Sequence, residues 1–254
     1  NATIENSEFV DSSIGAYLYH SGSTGSLTIR VTGSRFEHCS YGLYTVGCVN
    51  PVIDNNIFDG NLTGLLMGSC TGVGFNGNLF RNHTSFAADL SGCDGNLTFQ
   101  GPTGNGNVKG LRLASCGITQ DSAFRTNSGF PHVMIASSLS VPAGRTLTIE
   151  PGVVVKFERY TSPWNDIRSR IYLYGNLRIA GQAGAPATFT SEHDNSVGGI
   201  TGSGSPTVGE WYGIRVLGDG ALIEADHCVV KFAGVEFYKN DYSADLTVRS
   251  SRFE

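Results

Sequence analysis

Short apolar runs alternate along the chain with clusters of Gly, Ser, Thr and Asn, and the alternation keeps a fixed phase. A six-residue frame holds one apolar residue, three mostly small or polar residues, one variable residue and then Phe. It recurs as "IENSEF" at 4–9, "VTGSRF" at 31–36, "IDNNIF" at 53–58, "FNGNLF" at 75–80 and "VRSSRF" at 248–253. Phe9, Phe36, Phe58 and Phe80 are spaced by 27, 22 and 22 residues. Six residues after the first three stand Gly15, Gly42 and Gly64, which open the runs "GAYL", "GLYT" and "GLLM"; Gly110 opens "GLRL". Alternation with a period of two predicts strands, with turn residues between them and no helical segment.

A further column fixes the period. Cys48, Cys70, Cys93 and Cys116 are spaced by 22, 23 and 23 residues, so four of the six cysteines share one phase. Repeats of this length mark a stacked architecture in which each unit buries its face on its neighbours. The Leu–Asn frame of a leucine-rich repeat is absent. The pattern therefore predicts an all-β, right-handed parallel β-helix with about 22–23 residues per coil in the first half. Like residues then pile on like: Ile4, Val31, Ile53 and Phe75 form one interior ladder and the Phe residues another. Ser7, Ser34, Asn56 and Asn78 fall at a corner where small polar side chains bond to backbone and left-handed turns are tolerated. The longer first step is taken up by a loop at 21–25, an insertion that costs little at a coil corner.

Composition agrees with many short strands: Gly is 34 of 254 residues and charged residues only 15%. The net charge of −5 leaves no basic footprint, which argues against nucleic acid as a partner. No apolar run approaches the ~20 residues of a membrane-spanning helix. The chain opens on "NATIENSEF" and closes on "LTVRSSRFE", coil-like text at both ends, which predicts a piece or repeat unit of a longer protein.

The regular frame fades after Cys116, giving coils at 1–119, a transition at 120–138 and a second segment at 139–254. The second segment carries "TLTIEPGVVVKF" (146–157), then "LYGNLRIAGQ" and "FTSEHDNSVGGITGSGSPTVGEWYGIRV". These blocks resemble the opening of large bacterial secreted proteins of the right-handed parallel β-helix repeat class, whose architecture is like that of pectate lyases. The resemblance implies a secreted or cell-surface location. It does not imply an activity, because that class is defined by architecture. In such relatives the segment after "FTS" resembles a cation loop, so Glu192, Asp194 and Asn195 become candidate ligands, with Ca2+ as the candidate ion. Ile200, Ser203 and Ser205 stand where further oxygen ligands are expected.

The Cys column is compatible with Cys48–Cys70 or Cys93–Cys116 disulfides, and equally with a ladder of reduced thiols that packs as small apolar residues; the latter is preferred. No histidine stands at ligand spacing to these cysteines, and no HExxH or GxSxG motif occurs. Stacking puts Glu37 and Asp59 in one column with Arg81 beside it, and Asp89 near a strand end. An acid cluster with a convergent base would signify a polysaccharide lyase or glycoside hydrolase acting on an acidic polysaccharide. Strand alternation turns Ala16, Leu18, Leu43, Thr45, Leu65 and Met67 inward. Tyr17, Tyr19, Tyr44 and Leu66 then point outward, with Arg112 further along. Such a stripe can stack on sugar rings or on another chain. The sequence thus points to a non-catalytic structural or adhesive module, a repeat unit of a surface fibre or large adhesin. Its partners would be glycans or other subunits of the same protein, with end-to-end association through open strand edges.

Overall fold

The computed structural model describes residues 1–20, 27–100, 104–126, 130–162, 164–239 and 243–254. The loop expected at 21–25 lies outside them. Every regular element longer than one turn among the described residues is a β-strand. The chain divides into two compact units, Asn1–Arg112 with Asn127–Pro131, and Leu113–Thr126 with His132–Glu254. Within the second unit Ser122–Phe124 pairs in parallel with Thr146–Ile149.

In the first unit each coil visits three sheets. Ala2–Glu5 lies parallel to Ile29–Thr32, which pairs with Val52–Asp54 and it in turn with Val73–Asn76. Glu8–Val10, Arg35–Glu37, Ile57–Asp59 and Leu79–Arg81 form the second sheet. Ile14–Tyr19, Tyr41–Val46, Thr63–Gly68 and Phe86–Ser91 belong to the third. The register joins the repeated positions directly: Ile4 to Val31, Val31 to Ile53, Ile53 to Phe75, and Phe9 to Phe36 to Phe58 to Phe80. The Phe rings stack with centroids 5.0, 5.1 and 4.8 Å apart and planes within 10°. Each such buried ring contributes about 2–3 kcal/mol of hydrophobic free energy, so this column is a main source of stability.

The Gly column has a steric cause. A Cβ on Gly15 would lie 2.5 Å from the carbonyl oxygen of Gly42, one on Gly42 2.6 Å from that of Gly64, and one on Gly64 2.6 Å from that of Ala87. The next coil passes too close for any side chain. At the corner, Ser34 Oγ accepts from the Ser7 amide, Asn56 Oδ1 from that of Ser34, and Asn78 Oδ1 from that of Asn56. The left-handed backbone sits one residue earlier than expected, on Asn6, Gly33, Asn55 and Gly77, with φ between 48° and 67°. The recurrence at 248–253 repeats this device in the second unit: Ser250 has φ 49°, and Ser251 Oγ accepts from the Cys228 amide.

The second unit is also built of parallel pairings. One sheet runs from Ser122–Phe124 through Thr146–Ile149, Asn176–Ala180 and Leu222–Asp226 to Asp245–Arg249. Another joins Val133–Val141, Arg170–Leu173, Gly213–Val216 and Phe237–Lys239. A third joins Val154–Phe157, Ala187–Ser191, Cys228–Val230 and Arg252–Phe253. Its coils are unequal. Asn176 accepts from Leu222, 46 residues on, because the long 192–210 loop is inserted between them. Inside, Phe157 and Trp211 stack at 3.8 Å with planes 4° apart.

Candidate functional site

The third sheet of the first unit turns Leu43, Thr45, Leu65 and Met67 fully inward. Its outward register runs Tyr17–Tyr44–Leu66–Asp89 across four coils. Tyr17 and Tyr19 are 51% and 55% exposed, whereas Tyr44, Leu66 and Arg112 are half-buried. The rings touch one another: Tyr17 to Tyr44 at 4.8 Å, Tyr17 to Tyr19 at 5.9 Å and Tyr44 to Tyr41 at 5.8 Å. Tyr41 completes this platform and was not expected from the alternation, because it precedes the Gly from which the inward–outward phase was counted. Its partner one coil earlier, Ile14, gave no aromatic signal. At the far end, Arg112 bonds Asp89 at 3.1 Å and lies over the Phe86 ring, as does Lys109 at 5.0 Å. The face therefore grades from an open aromatic end to a charge-paired end.

The acids singled out for hydrolytic or eliminative chemistry do not converge. Glu37 and Asp59 belong to the second sheet and Asp89 to the third, and each has its own arginine: Arg35, Arg81 and Arg112. Burial works against the Asp59 carboxylate, but hydrogen bonds from Arg81 at 2.8 Å and Asn82 at 2.9 Å hold it below the usual range. Ion-paired carboxylates of this kind are poor proton donors at neutral pH. Asn61, which opens the Asn-x-Thr sequence at 61–63 that glycan attachment to asparagine would need, is fully buried, with its amide bonded to Cys39 N and Phe36 O. Folding closes that position to modification.

All six cysteines are free and buried. Cys48, Cys70 and Cys93 stack within the first unit, with the Cys48 amide 3.4 Å from Cys70 Sγ. The thiols of Cys70 and Cys93, and of Cys116 in the second unit, each donate to the carbonyl two residues earlier, on Gly68, Ser91 and Ala114. For Cys70 the hydrogen bond to Cys48 works downward, but that to Cys93, together with burial, pushes it up to about 11. Such thiols are packing residues rather than nucleophiles.

The 192–210 loop of the second unit brings its oxygens together, but around an internal cation. Lys156, fully buried, places Nζ 2.9 Å from Asp194 O, 2.6 Å from Gly199 O and 2.9 Å from Thr201 Oγ1. The three candidate ligand side chains are spent elsewhere. Glu192 accepts from the Arg159 amide, Asn195 bridges Thr201 N and Gly202 O, and Asp194 accepts from Thr190 and Ser196. Among the described residues no group of three or more His, Cys, Asp and Glu is placed to hold a metal ion. Burial pushes Lys156 down to about 8, opposed by the charges of Asp194 and Glu192. The sequence carried one signal for this arrangement, a lone lysine within the apolar run "VVVKF", on the strand face opposite Val155 and Phe157. Beside it, Glu210 accepts from Ser191 and from His193 Nδ1 at 2.9 Å; these bonds overcome the effect of burial and keep the carboxylate ionised.

Among the described residues no helix is long and apolar enough to cross a membrane. No curated protein and no solved structure was found to be similar to the chain. Residues 1–128 match the family described as the right handed beta helix region, and they contain four of the five copies of the six-residue frame. With half of its length matched and parallel coils in register, the chain belongs to the right-handed β-helix family.

Proposed function

We propose that this chain is a non-catalytic, extracellular structural or adhesive β-helix module that binds glycans or partner subunits through its tyrosine face. The observation that carries the reading is the platform of Tyr19, Tyr17, Tyr44 and Tyr41, each ring in contact with the next and presented on a parallel sheet. Exposed rings held by their own neighbours lose little entropy when a sugar ring or an apolar side chain stacks on them. Glu37, Asp59 and Asp89 of the same unit are each paired with an arginine, which suits a scaffold. Stacked coils of this kind fit a repeat unit in a surface fibre or large adhesin, with open strand edges available for end-to-end association.

The test is binding of the chain to an immobilised panel of neutral and acidic glycans, and to itself by sedimentation, with Tyr17→Ala and Tyr44→Ala alongside. Loss of one stacking ring is worth about 1 kcal/mol, so each variant is expected to bind roughly fivefold more weakly with an unchanged melting temperature. Equal binding by the double variant would overturn the role of this face. Release of unsaturated products or new reducing ends from any glycan would replace the reading with an enzymatic one.

A further inference from the structure

The second unit carries a different outward surface, and its chemistry is cationic. Along the sheet of Arg170–Leu173, Gly213–Val216 and Phe237–Lys239, the outward register runs Tyr172 to Arg215 to Tyr238. Arg215 lies 4.8 Å over the Tyr238 ring. Arg170 lies 4.4 Å over Tyr212 and 5.7 Å over Tyr172, and Arg168, itself paired with Asp166, lies 5.5 Å over Tyr212. Arginine and tyrosine thus alternate across three coils. Tyr212, Arg215, Tyr238 and Val235 line an open, shallow pocket of about 210 Å³.

Three observations set this surface apart from the tyrosine face. Arg112 there is neutralised by Asp89, whereas neither Arg170 nor Arg215 has a carboxylate within ion-pair distance among the described residues. Arg215 Nε is buried without a hydrogen-bond partner, so one of its donors is desolvated and unused. Tyr212 and Tyr238 remain 40% and 36% exposed beside these charges. Arg170 already donates from Nε and Nη2 to the Arg168 carbonyl, which holds its plane in place; guanidinium groups fixed in this way are pre-organised to donate to a carboxylate or sulfate through their remaining N–H groups. The rings between them offer flat apolar ground.

We propose that this arginine–tyrosine ladder is a binding site for an anionic polysaccharide bearing carboxylate or sulfate groups. The rungs repeat every ~4.8 Å along the coil axis. A pyranose unit has about that length, whereas same-side residues of an extended acidic peptide are about 6.8 Å apart and fall out of step. Each ring of the saccharide meets a tyrosine, and its acidic group meets Arg170 or Arg215. The site stands on residues distinct from Tyr17 and Tyr44 and does not depend on the role given to them.

The experiment is calorimetric titration of the 254-residue chain with four probes: an alginate oligosaccharide, a dextran sulfate of similar length, neutral dextran and polyglutamate. The proposal expects one or both anionic glycans to bind, with affinity falling as salt rises, and neutral dextran and polyglutamate to bind at least tenfold more weakly. The two anionic arms identify the acidic group. Arg170→Gln and Arg215→Gln should each weaken binding at least tenfold. Arg215→Lys, which keeps the charge but not the fork, should recover only part of it. Tyr238→Leu, at an exposed ring, should weaken binding severalfold with an unchanged melting temperature and serves if an arginine variant fails to fold. Tyr17→Ala with Tyr44→Ala should leave this binding intact. Absence of binding to both anionic glycans, equal binding of polyglutamate, or indifference to Arg215 and Tyr238 would overturn it.

Discussion

Replacing Lys156 by Met removes a buried cation of nearly the same length and exposes a pH dependence that belongs to that residue alone. In the folded chain burial pushes the Lys156 ammonium down to about 8, against 10.5 for an exposed lysine. Below pH 8 the amine is protonated in both folded and unfolded chains, and its contribution does not vary. Between about 8 and 10.5 the folded chain has released the proton while the unfolded chain still holds it. The unfolded state then binds more protons, so the stability of the native protein rises with pH through that window. With 1.36 kcal/mol per pKa unit, the gain is about 1.4 kcal/mol at pH 9 and about 2.5 kcal/mol at pH 10. Other groups titrate in the same range, notably Cys70 and Cys228, both pushed up to about 11. Their effect is opposite in sign and common to both proteins, so it cancels in the comparison. Urea unfolding of the parent and Lys156→Met at pH 7, 9 and 10 gives the stability difference directly. That difference should move in favour of the parent by the amounts stated. A difference that stays flat within about 0.5 kcal/mol would mean that Lys156 is not the desolvated centre of the 192–210 loop.

Other consequences concern the columns. Asn56 accepts from Ser34 N, donates to Val31 O and touches Asn78 Oδ1, so Asn56→Leu leaves several buried polar groups unpaired. It should cost about 3–5 kcal/mol in urea unfolding, whereas Asn76→Ala, at an exposed position on the next coil, should cost under about 1 kcal/mol. The cysteines should be silent to a thiol reagent at pH 8 in the folded chain, and all six should react in denaturant. Rapid modification of Cys48 or Cys70 in the native protein would show that the column is open.

The first half was legible because its register is written in identity. Phe9, Phe36, Phe58 and Phe80 lie at nearly constant spacing, and a parallel coil must place such residues opposite one another to close its ring stack. The Gly and Asn columns were equally readable, the former forced by carbonyls within 2.6 Å, the latter by buried amides that need a partner on the next coil. What stayed hidden depends on loop length and on long-range pairing. The inserted 192–210 loop stretches one coil to a 46-residue step, so the alternation in "RIYL" and "GIRV" could not reveal that Tyr172 faces Arg215. Likewise "EHDN" suggested a loop around a free cation, and only folding brings the Lys156 ammonium, 38 residues before Asp194 in the chain, into that loop. Local pattern determines which residues repeat and which side of a strand they take, because side-chain direction alternates with the backbone itself. Which charges meet is decided by the packed coils, because no local rule counts the residues that the chain spends between them.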